Sequence, residues 1–167
     1  AHFGIAVALI GMASESAFTK ERLAAIEQGD TATVGPWTVV LEGVEPVAGP
    51  NWTAVQARLS ARYGDGEARE LTPQSRNFWA PPQQTTESAL ATRWNGQLYA
   101  VVGDRSPDGR WQLRLWWKPF VTLIWYGGLL IALGGLLALI GRVLTDLRHR
   151  RLAARIAERR ADREALA

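Results

Sequence analysis

The hydrophobic and polar positions of this chain fall into three regimes. From Phe120 to Gly141 there are 22 consecutive residues without a charge, and residues 1–14 hold no acid, lysine or arginine. Between these runs the pattern turns to short alternations. As a helix, the later run covers about 33 Å, enough for a hydrocarbon core of about 30 Å. Pro119 suits the first turn of that helix, where a missing N–H costs nothing. The opening run spans only roughly 20 Å as a helix, too short to cross alone. No basic segment precedes it and no small-residue cleavage pattern follows it, so it reads as half of a truncated membrane helix rather than a signal peptide.

The middle reads mainly as strand. Phe18–Ile26 is expected as a short helix opened by Ser14 or Ser16 and closed by "EQGD". After it, Trp37–Val44 and Trp52–Tyr63 alternate as half-buried strands do. "GDGE" at 64–67 is a hairpin turn signal. "QLYAVVGD" and "RWQLRLWW" flank a second turn at "RSPDG", and "APPQQTT" at 80–86 reads as loop. Several short strands separated by turns predict a small sandwich or open barrel. The expected fold class is therefore membrane α-helices flanking a mainly β domain. The divisions are 1–14 (the C-terminal half of a transmembrane helix), 15–118 (a β-rich domain), 119–141 (a final transmembrane helix) and 142–167 (a basic tail).

Charge sets the orientation. Residues 142–167 carry eight arginines against Asp146, Glu158, Asp162 and Glu164, so this tail supplies +4 of a chain whose net charge is +3, and the remainder is about −1. Arginines crowd one end of the long apolar run, while Trp116, Trp117, Trp125 and Tyr126 cluster at the other with Lys118. The positive-inside rule then puts the tail in the cytoplasm and residues 15–118 outside. Gly127, Gly134 and Gly141 recur every seven residues. Gly128, Ala132 and Gly135 form a neighbouring stripe, and Gly4, Ala8 and Gly11 another. Small residues of this kind let helix backbones approach closely in lipid.

Candidate chemistry is sparse. The chain has no cysteine, which excludes disulfides and thiolate sites. The middle domain has no histidine, its acids are scattered, and Ser60 and Ser75 have no evident base partner, so a hydrolase centre is not expected. "GDGE" lacks the further ligands of a calcium loop. Arg76, Arg93, Arg105, Arg110 and Arg114 are weighed as anion holders and as paired surface residues. Trp37, Trp52, Trp79, Trp94 and Trp111 are weighed as core and as contact surface, with Trp79 the candidate contact. His149 is read as a solvated tail residue. His2 is different: an ionisable group in an apolar helix is a functional candidate by default. Its imidazole suits either an axial bond to haem iron or a hydrogen bond between helices.

The order of motifs resembles the C-terminal part of the CcmF/NrfE family, the haem lyase of cytochrome c maturation. The matching stretches are "AHFGIAVALIGMASES" (1–16), "GD" (29–30), "GPNW" (49–52), "TTE" (85–87), "LYAVVGD" (98–104), "WQLR" (111–114) and "KPFVTLIWYGGLLIALGGLLAL" (118–139). Two stretches depart from the family pattern: "TPQSRNFW" (72–79) and the start of the tail, "IGRVLTDLRHRR". The resemblance implies a multi-pass protein of the bacterial inner membrane, with residues 15–118 periplasmic and the C-terminus cytoplasmic. It implies a b-type haem held by two membrane histidines, of which His2 matches one; the other lies outside this chain. It implies, as partners, a periplasmic haem chaperone, apocytochrome c and the apocytochrome-reducing subunit, and no nucleic acid. No catalytic residue is assigned to this chain. The alternative reading is a non-enzymatic periplasmic scaffold anchored by two membrane helices.

Overall fold

The computed structural model describes residues 2–165, with side chains through residue 156. Helix α1 (His2–Phe18) is followed by ten strands: β1 (Lys20–Ile26), β2 (Thr31–Val34), β3 (Trp37–Ala48), β4 (Trp52–Tyr63), β5 (Ala68–Leu71), β6 (Gln74–Trp79), β7 (Pro82–Glu87), β8 (Ala89–Arg93), β9 (Gly96–Arg105) and β10 (Trp111–Pro119). Helix α2 (Leu123–Ala165) comes after them. One sheet runs β1-β10-β9-β8; the other runs β2-β3-β4-β6-β7, with β5 also paired to β4. All pairings are antiparallel. The result is a sandwich whose inner faces are set by alternation. Leu98, Ala100 and Val102 of β9 and Leu113, Leu115 and Trp117 of β10 point inward to meet Trp37, Val39 and Leu41 of β3 and Ala57, Leu59 and Ala61 of β4.

The end of the sandwich nearest the helices is closed by aromatic rings. Trp37 meets Tyr63 edge-on at 5.3 Å between centroids, and Tyr63 meets Trp117 at 5.8 Å. Two glycines make room for Trp117. Gly35 has φ 54, and a Cβ there would sit 2.5 Å from the Trp117 ring; at Gly96, φ 152, a Cβ would sit 2.7 Å from it. Replacing Trp37 by alanine is expected to destabilise the sandwich by about 3–5 kcal/mol, the usual loss for a fully buried large aromatic. Phenylalanine there should cost clearly less, because the buried indole N–H has no hydrogen-bond partner to lose. Hydrogen exchange at the β9 and β10 amides reads both.

Several sequence expectations are corrected. The helix expected over Phe18–Ile26 is not formed: Phe18 is the last residue of α1, and Lys20–Ile26 is strand β1, paired with β10 from Lys20↔Trp117 to Ile26↔Trp111. Helix-favouring Glu, Leu and Ala give way to seven cross-strand pairs, a case of tertiary pairing overriding local propensity. The "APPQQTT" stretch is not all loop. It turns at Ala80–Pro81 and then forms edge strand β7, whose polar residues lack the alternation that marks a strand. Pro82 opens β7, a position where a missing N–H is tolerated. Strand β3 runs on through Pro46 to Ala48, with a bulge between Leu41 and Gly43. Pro119 ends β10 instead of starting a helix, and α2 begins only at Leu123.

Two helices flank the sandwich where two membrane helices are expected, and they differ in length. α2 is the one helix among the described residues long and apolar enough to cross a membrane, and its apolar face is almost wholly uncovered. α1, with 17 residues, falls short of that length. The helix does not stop at Gly141: α2 runs unbroken for 43 residues, about 65 Å.

Candidate functional site

The two helices pack against each other in opposite directions. A Cβ at Gly11 would lie 2.8 Å from the Ile124 backbone nitrogen, and one at Gly4 would lie 2.7 Å from the Gly127 carbonyl oxygen and 2.8 Å from the Ile131 nitrogen. A Cβ at Gly127 would in turn lie 2.5–2.7 Å from atoms of Ala8 and Gly4. Of the expected small-residue faces, then, Gly4–Ala8–Gly11 and Gly127 form a close crossing of backbones. A Cβ at Gly128, Gly135 or Gly141 would meet nothing within 4 Å among the described residues.

His2 lies on the other side of α1. At 100° per residue it stands roughly 160° from Gly4, and it is exposed. Among the described residues it makes no hydrogen bond, so it does not fasten α1 to α2. Its neighbours one and two turns on, Ile5 and Leu9, are exposed, as is Phe3 beside it. The imidazole therefore caps an uncovered apolar stripe. The register Gly11–Ile124, Gly4–Ile131 places His2 level with about Leu133, roughly 15 Å along α2 from Leu123. An imidazole beside a bare apolar surface fits a haem, which needs an axial nitrogen and an apolar face for the macrocycle.

Both helices join the sandwich through short, bonded connections. Thr19 alone separates α1 from β1, and its Oγ1 donates to the Glu15 carbonyl. The Lys118 ammonium at the end of β10 meets the Glu15 carboxylate at 2.6 Å. On the other side, Phe120 turns the chain with φ 60, a left-handed conformation unusual for a bulky residue. Its N–H donates to the Asn95 carbonyl at 2.7 Å, and the buried Thr122 hydroxyl donates to the Trp94 carbonyl at 2.7 Å. The β8–β9 hairpin tip thus holds the strand-to-helix turn. Glu15→Gln should cost at most about 1 kcal/mol, because the ion pair is partly exposed. A melting curve of the parent protein displaced only slightly is the expected result.

The structure accounts for the five arginines. Arg76 stacks on Trp52 at 4.5 Å and pairs with Glu87 at 3.4 Å. Arg93 covers Tyr63, and Arg105 lies over Trp111. Arg110 pairs with Asp108 and Arg114 with Glu21. The Arg110 backbone N–H, then its guanidinium, hold the Asp108 carboxyl below its ordinary pKa. Trp37 is core, Trp52 lies under Arg76, and Trp111 packs beside the core. Trp79 is the last residue of β6 rather than part of a loop, and it is 53% exposed. Trp94, at the hairpin tip, is more exposed still, at 72%. Sequence reasoning passed over its place at the helix junction, although "RWNG" between two alternating runs carries the signal of a hairpin with a tryptophan at its tip.

Fold and junction together define a β-sandwich borne on an apolar helix. The family model described as the CcmF C-terminal β-sandwich matches residues 17–119. The chain belongs to the CcmF family of cytochrome c-type biogenesis proteins. It is 39% identical to the cytochrome c-type biogenesis protein CycK of Bradyrhizobium diazoefficiens, over 86% of this chain and 22% of that protein. It is 34% identical to the protein CcmF of Escherichia coli, over 83% of this chain and 22% of the relative. A solved structure titled cytochrome c heme lyase CcmF matches 81% of this chain and 23% of that one, with a TM-score of 0.63 and 21% identity, a likeness of fold. The chain spans about a fifth of the length of the curated relatives it matches.

Proposed function

We propose that this chain is the C-terminal part of a membrane haem lyase that helps pass haem from a periplasmic haem chaperone to apocytochrome c. In this reading α1 is half of one membrane helix, and Leu123–Gly141 is a span of about 28 Å in the bacterial inner membrane. Residues 15–118 face the periplasm, where the apocytochrome-reducing subunit also works, and the arginine-rich part of α2 extends into the cytoplasm. His2 would hold a b-type haem through its imidazole nitrogen, with the second holding group elsewhere in the parent protein.

The observation that carries this reading is the placement of His2: level with the middle of Leu123–Gly141, turned away from α2, on an uncovered apolar stripe. When bound, the haem supplies one-electron chemistry. This chain supplies an imidazole nitrogen, an apolar wall that excludes water, and a sandwich held to the membrane by two short joints. In this reading the sandwich provides contacts. Trp79, exposed at the end of β6, is its contact residue for a partner. The scaffold reading shares that contact and differs in assigning His2 no haem.

Expression of the intact parent protein in a bacterium lacking its own family member should restore haem-staining c-type cytochromes. Excision of residues 20–119 should abolish that restoration. An intact, membrane-localised parent that restores no c-type cytochrome would refute the assignment to this pathway.

A further inference from the structure

The β8–β9 hairpin stands apart from the other turn on the same strand. β9 begins at one end of the sheet with the tip Trp94–Asn95 and finishes at the other with the turn Ser106–Gly109. The second tip is polar: Arg105 donates to the Gly109 carbonyl at 3.0 Å, and Arg110 meets Asp108 at 2.8 Å. The first tip presents an indole that is 72% exposed and packs into no core. Its backbone is bonded to Phe120 and Thr122, the residues just before the first turn of α2. The height of Trp94 is therefore tied to the start of the apolar helix. Phe18, Phe120, Trp125 and Tyr126 are exposed at the same level, and exposed Lys20 begins β1 there.

We propose that the Trp94 hairpin tip is a lipid-contacting anchor that seats its indole in the phospholipid interface beside α2 and fixes the tilt of the sandwich on the membrane surface. Indole rings favour this layer because an apolar body and an N–H donor meet apolar and polar surroundings together. The tip cannot swing clear of the bilayer without breaking two hydrogen bonds, one of them from a buried hydroxyl. Together with the joints to α1 and α2, it gives the domain a third point of attachment and so a defined orientation. The inference rests on the membrane reading above: lipid is the occupant because the tip is continuous with the apolar surface of α2.

The test uses the intact parent protein, with any native cysteines elsewhere replaced, in phosphatidylcholine–phosphatidylglycerol vesicles. A polarity-sensitive fluorophore is attached at Trp94→Cys and, separately, at Asp108→Cys. Lipids carrying a spin-label quencher near the headgroup or near the acyl-chain end are then added. The label at 94 should be blue-shifted and quenched at least about twofold more by the shallow quencher than by the deep one. The label at 108 should be quenched by neither. A label at 94 as water-exposed and unquenched as that at 108 overturns the anchor, and so does a blue-shifted label that no lipid quencher reaches, since a protein then covers the tip. Leu137→Cys separates the two levels of failure: reaction with a membrane-impermeant maleimide would defeat the membrane reading itself, whereas an unreactive site with an unquenched label at 94 defeats only the anchor.

Discussion

Gly127→Leu is expected to force α1 off α2, with a loss of about 3 kcal/mol or more from the helix pair. A new side chain at this position would start 2.5 Å from the Ala8 nitrogen and 2.6 Å from the Gly4 carbonyl oxygen. These are backbone atoms, so no rotamer change relieves the clash and the helices themselves must separate. The expected readout is a lower melting temperature of the detergent-solubilised parent protein, with faster hydrogen exchange along α1. Because His2 is two residues from Gly4, the same change should also displace the imidazole and lower haem occupancy. A Cβ at Gly128 meets nothing among the described residues, so a cost of Gly128→Leu would report a helix from elsewhere in the parent protein. An unaltered melting temperature and unaltered exchange in Gly127→Leu would show that the crossing contributes nothing.

Much of the sandwich is legible in the sequence because its central strands obey the two-residue period. β4, β9 and β10 alternate clearly, and the turns at 64–67 and 106–109 carry glycine and aspartate where the chain reverses. What escaped reading lacks that signal for physical reasons. β1 is built of helix formers and becomes a strand only because β10 is there to pair with it. β7 is a polar edge with little to bury. Pro119 suits the start of a helix as well as the end of a strand, and the left-handed turn at Phe120 that decides between them leaves no mark in composition.

The candidate site divides in the same way. His2 could be singled out because an ionisable residue in an apolar run is conspicuous. Its direction was also implicit, since Gly4, Ala8 and Gly11 mark one face of α1 and His2 lies opposite. The joints were not readable. Glu15 and Lys118 are far apart in the chain, as are Trp94 and Thr122, and only the closing of the sheet brings each pair together.

His2→Ala tests the central claim. Among the described residues the His2 imidazole is the one side chain of α1 at this depth suited to bind iron, and no contact within the chain depends on it. Its removal should therefore spare the fold while removing the haem. Circular dichroism of the variant should match the parent, and added free imidazole should partly restore the lost spectrum in His2→Gly. The direct measurement is the reduced-minus-oxidised absorbance spectrum of the intact parent protein, purified with and without the His2→Ala change. The account predicts a b-type haem signal in the parent and at least a tenfold smaller one, on the order of the baseline, in the variant. An undiminished b-haem signal in His2→Ala, or a parent protein that holds no haem at all, would contradict it.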